Sequence, residues 1–121
     1  MDDGTAVALK PLAAEITDRY ARAFPDESDR YGPEWRAWCT HDNQHVLRGA
    51  LDAQRGLADL PEQIAWLARL LDARGYPLAR LARNLDLTAD VLAESVGGAV
   101  GGAAAAELRA VGARFVDGDA A

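Results

Sequence analysis

The chain has 121 residues, enough for one ordinary domain and too few for two. Half of the residues are hydrophobic and 26% are charged, with nineteen acidic against thirteen basic side chains for a formal charge of −6. Such a surface repels phosphate backbones and anionic lipid, so neither nucleic acid nor membrane is expected as a partner, and no apolar run approaches the ~20 residues that span a bilayer.

The opening MDDGTAVALK is acidic where a secretory leader would be positive, and a lone cysteine cannot form an internal disulfide; both point to the cytoplasm. Residues 1–5 read as a loose tail. Helix formers then run from Ala6 to Ala23, with Leu9, Ala13, Ile16 and Tyr20 on one stripe and Pro11 tolerated near the start. Phe24-Pro25 closes this helix, and PDESDRYG reads as an acidic, turn-rich connection. Pro33 opens a second helix that runs to about Arg55, with Gly56 as its C-cap.

Asp59-Leu60-Pro61-Glu62 combines an N-cap acid, an early proline and a glutamate three residues after the cap, which is the local chemistry of a helix start. Leu60, Ile64, Leu67 and Leu71 give this third helix its core stripe, and Gly75 with Tyr76-Pro77 ends it. Leu78, Leu81, Ala82, Leu85, Ala89, Leu92 and Val96 keep helical phase through a fourth helix, straight or bent. The paired glycines of VGGAVGGAAAA either break the chain or let a last helix approach a neighbour closely. Val100, Ala104, Leu108, Val111 and Phe115 carry that last helix, and residues 117–121 form a loose end. The expectation is a single all-α domain over residues 1–121, a five-helix bundle with a globin-like or four-helix-bundle-like core and an extra helix.

The chemistry concentrates in YGPEWRAWCTHDNQHVLRG, residues 31–49, which holds two of the three tryptophans, the cysteine and both histidines. On a helical wheel Trp35, Cys39, Val46, Ala50 and Ala53 share an apolar arc that also includes Asp42, while Trp38, His45 and Gly49 lie on its shoulder. A carboxylate in an apolar layer costs several kcal/mol unless it is paired, so Asp42 calls for an internal cation, with Arg74 or Arg80 as candidates, or for a ligand. Trp35, Trp38, Asp42 and His45 are therefore the candidate ligand-binding residues, suited to a flat, largely apolar molecule with one or two polar handles. The same residues also suit a tryptophan-rich core.

Other chemistry is weaker. His41 and His45 stand at i and i+4, a spacing that can hold a metal, but one cysteine and no matched motif on a second helix leave the usual tetrahedral or di-iron sets incomplete. Cys39 is two residues from His41 and does not face it, so a buried structural thiol is expected. The glycines at 97, 98, 101 and 102 follow no strand and precede no lysine of a phosphate loop. The arginines 69, 74, 80 and 83 read as a solvated helix face.

On the YG before a helix, the Cys39, His41-Asp42 and His45 pattern, and the stretch QIAWLARLLDARGYPLARLARNL, residues 31–96 resemble the helical-bundle domains that precede cobalamin-binding domains in bacterial sensors and light-responsive regulators. They are also similar to the haem-free, globin-like sensor domains of stressosome proteins. The resemblance implies a sensory role and, in corrinoid photoreceptors, a tryptophan and a Glu-His pair over the upper cofactor face; here eight residues separate Trp35 from Gln44-His45. The leading expectation is a non-enzymatic sensory or interaction module working as a homodimer or with a protein partner. The alternatives are a small-ligand binder of tetrapyrrole or corrinoid type, whose cofactor identity is left open, and an enzyme using Asp42 and His45 as an acid–base pair.

Overall fold

A computed structural model describes residues 2–96 and 98–120, with side chains for 9–96 and 98–115. All regular structure among them is helical: α1 (Asp2–Ala23), α2 (Glu27–Tyr31), α3 (Trp35–Gln54), α4 (Leu60–Ala73), α5 (Leu78–Ser95) and α6 (Gly98–Ala120). Among these residues no helix is long and apolar enough to cross a membrane. The loose ends expected at 1–5 and 117–121 lie outside the residues described with side chains.

The helices pack as a ring. α1 lies against α3 and α5, and α6 closes the other side against α5 and α3. The stripes expected from spacing do this work: Leu9, Ala13, Ile16 and Tyr20 from α1, Leu81, Leu85, Ala89 and Leu92 from α5, and Ala104, Leu108 and Val111 from α6 are all buried in one cluster. α5 hides a wider face than its neighbours, with Leu87, Thr88 and Val91 also buried, because it is gripped from both sides. α4 lies across α3 and α5.

The sixth helix corrects the expected five. The connection after Phe24-Pro25 coils into the single turn and a half of α2 instead of remaining open, and it turns Glu27 into the core at 2% exposure. Five residues are too few to show a helical period, so a run of charges hid the element. The start of α4 follows local chemistry: Asp59 Oδ1 accepts from the Glu62 amide at 3.1 Å, and Pro61 occupies the first turn, where a missing N–H costs nothing.

Both readings of the glycine-rich corner apply, at different positions. Gly98 adopts φ 63° at the start of α6, a left-handed backbone that suits glycine. One turn later, a Cβ at Gly101 would stand 3.2 Å from the Leu92 carbonyl oxygen and 3.3 Å from Val96 Cβ, so the bare backbone lets α6 close onto α5. Val96 and Val100, expected on core stripes, sit at this corner and are exposed.

Leu85→Ala should cost about 2–5 kcal/mol, because the side chain is fully buried where α5 meets its neighbours. Leu67→Ala should cost clearly less, since Leu67 is only partly covered. Denaturant midpoints of the two variants with unchanged m-values check the order.

Candidate functional site

The buried face of α3 is turned relative to the wheel expectation. Trp35, Asn43, Val46, Leu47, Gly49 and Ala50 point inward, whereas Asp42 is exposed. The polar residue that enters the core is thus the neighbouring amide. An amide can donate and accept within a closed network, while a carboxylate needs a cation or water.

That network is directional. The Thr17 hydroxyl donates to the Ala13 carbonyl at 3.0 Å, so its oxygen is left to accept from Thr40 Oγ1 at 3.0 Å and from Asn43 Nδ2 at 3.4 Å. Asn43 Nδ2 also lies 3.5 Å from Cys39 Sγ. With its amino group committed there, Asn43 presents Oδ1 to Asn84 Nδ2 at 2.6 Å. Asn84 Oδ1 is then buried with no partner among the described residues.

A second network lies close by. Arg80 is held by Glu27 Oε1 and, at 2.8 Å, by Asp26 Oδ2, with its guanidinium 4.4 Å from the Phe24 ring centre. Tyr76 donates to Glu27 Oε2 at 3.4 Å and bonds to the Tyr20 hydroxyl. The hydrogen bond from Arg80 holds the Asp26 carboxyl below the usual carboxylate range, and burial pushes the Tyr20 and Tyr76 phenols well above theirs. Arg80 is therefore neither part of a solvated face nor the partner of Asp42, as the sequence reading had it. It neutralises Glu27, which that reading left in an exposed connection.

Between the two networks lies a cavity of about 460 Å³. Its walls are Trp35 and Val46 of α3, Tyr20 of α1, Tyr31 of α2, Leu67 and Leu71 of α4, and Leu81 of α5. Glu27, Cys39, Asn43, Asn84 and Tyr76 add polar atoms. Trp38, His41, Asp42 and Arg74 complete the lining on its exposed side. Of the four candidate residues, three line this space: Trp35 buried, Trp38 at 56% exposure, and Asp42 in the open.

His45 does not line the cavity. It faces the solvent beside His41, so the expected Asp42–His45 acid–base pair is not assembled by any contact between the two side chains among the described residues. Desolvation pushes the Asp42 carboxyl up, with His41, His45 and Arg74 pulling the other way through space. No hydrogen bond or ion pair to Asp42 is formed among the described residues, so neither Arg74 nor Arg80 takes the role expected of it. Cys39 is a largely covered thiol that burial pushes up to about 11, the opposite of an activated nucleophile. Glu27 and Tyr31 of α2, Tyr76 of the α4–α5 connection and Asn84 of α5 were missed because they come from three separate segments whose convergence has no local signature. Comparison with protein-family models, curated proteins and solved structures finds no match.

Removing Glu27 leaves the largely covered Arg80 guanidinium with Asp26 as its one remaining carboxylate partner among the described residues, so Glu27→Ala should cost about 1–3 kcal/mol and Glu27→Gln, which keeps an acceptor, less. Equilibrium denaturation at neutral pH measures both. Because the folded protein holds the Cys39 thiol protonated, its contribution to stability is intact below the ordinary thiol value of ~8.5 and declines as pH rises toward about 11. Denaturation midpoints between pH 8 and 10 should fall less steeply in Cys39→Ala than in the parent.

Proposed function

We propose that this protein is a non-enzymatic, cytoplasmic sensory module that binds a small, flat, mostly apolar molecule in the cavity between α3, α4 and α5. The observation that carries the reading is the cavity itself. Its volume of about 460 Å³ falls within the ~300–1,000 Å³ of small-molecule sites, and it combines aromatic and aliphatic walls with a few fixed polar groups. Glu27, Asn84 and Tyr76 carry the polar groups of the lining, which suits an occupant with one or two polar handles. The Glu27 charge is already balanced by Arg80, which favours a neutral occupant over an ion.

α4 supplies the signalling element in this reading. Its first half is anchored by Leu60 and Ile64, both fully buried, while Leu67 and Leu71 in its second half are only partly covered and face the cavity. An occupant touches that second half and changes how it seats. Trp66, exposed at 58% on the same helix, is the surface through which a second copy or a protein partner would read the change.

The test uses N-phenyl-1-naphthylamine, a neutral, flat, apolar fluorophore with one N–H. Saturable binding at one site per chain is expected. Leu71→Trp, which fills the cavity from α4, should weaken binding at least tenfold without lowering the denaturation midpoint. Absence of saturable binding, or binding indifferent to Leu71→Trp, overturns the reading. Visible absorption bands in the freshly purified protein would identify the natural occupant as a tetrapyrrole or corrinoid.

A further inference from the structure

The geometry points to a two-histidine chelate for a late first-row divalent ion, Zn(II), Ni(II) or Cu(II), on the outer face of α3. His41 and His45 are one helical turn apart, and their Nε2 atoms face each other at 3.2 Å. With metal–nitrogen bonds of about 2.0–2.1 Å, two nitrogens that far apart subtend an angle of about 100° at a shared ion. That lies between the square and tetrahedral values, so the separation suits a shared ion once the rings turn their Nε2 lone pairs from each other toward it.

Nothing else claims these nitrogens. Both rings are exposed, and their one side-chain hydrogen bond among the described residues is to each other. In the metal-free protein one ring donates its Nε2 hydrogen to the other. On binding, that hydrogen moves through solvent to Nδ1, leaving two Nε2 lone pairs for the ion with no net loss of protons. Asp42 lies between the two histidines in the chain, unpartnered and coupled to both rings through space, so it adds outer negative charge that favours a cation.

Among the described residues no group of three or more histidine, cysteine, aspartate or glutamate side chains converges on a metal position. The ion therefore keeps open coordination positions, filled by water. Because His41 also lines the cavity, the ion would sit beside that space. The chelate itself rests on the histidine pair and stands whether or not the cavity holds a ligand.

Titration calorimetry of the untagged full chain with zinc chloride tests it. One site with a micromolar dissociation constant is expected, tighter with Cu(II), as the general order of divalent affinities requires. His41→Ala and His45→Ala should each weaken binding roughly hundredfold, the factor that a second linked donor contributes. Both side chains are solvent-exposed, so denaturation midpoints should stay at the parent value. The paired substitution His45→Ala with Arg48→His keeps two histidines on the exposed side of α3 but sets them two turns apart, and it should lose the affinity as well. Less than a threefold change in either alanine variant, or full affinity in the spacing variant, overturns the chelate. Loss of zinc binding in His45→Ala, whose side chain does not line the cavity, with unchanged N-phenyl-1-naphthylamine binding separates this site from the cavity.

Discussion

The pairing of Glu27 with Arg80 is the constraint on which the arrangement of this bundle depends. A carboxylate taken almost wholly out of water needs a close cation, and the cation comes from 53 residues further along the chain. Satisfying it draws α2 down onto the start of α5, seats Arg80 over Phe24, and places Tyr31 and Tyr76 with ring centres 5.3 Å apart. Tyr31 and Tyr76 line the cavity. An apolar pair of the same volume would fill the position without fixing the angle at which α2 enters, so the ion pair sets geometry as well as holding charge.

A second polar cluster, from Thr17 through Asn43 to Asn84, works differently. It links α1, α3 and α5 by neutral groups whose donors and acceptors are matched in sequence, and the chain of commitments ends on one unmatched oxygen. A buried acceptor left alone costs about 1–3 kcal/mol.

Some of this architecture was legible in the sequence. The stripe of Leu9, Ala13, Ile16 and Tyr20 and the cap at Asp59 rest on spacing and local chemistry, and both stand in the structure as read. α2 was not legible, since its reason for existing is Arg80, far away in the chain. On α3 the wheel set Asp42 inward, yet Asn43, about 100° away, takes that place; Trp35 and Val46 are compatible with either rotation, and only the partners on α1 and α5 choose between them. For the same reason the tryptophans were visible as candidate site residues, whereas the tyrosines, Glu27 and Asn84 were not.

The half-covered leucines of α4 tie the cavity to the energetics of the whole chain. Leu67 and Leu71 keep apolar surface in contact with water that a fully closed bundle would hide. Each square ångström an occupant covers there is worth about 25 cal/mol, and because only the folded chain presents that surface, the gain adds to folding stability by mass action. For any molecule that enters the cavity as proposed, occupancy and thermal stability would be two readings of one equilibrium, so its concentration would set how long the protein persists.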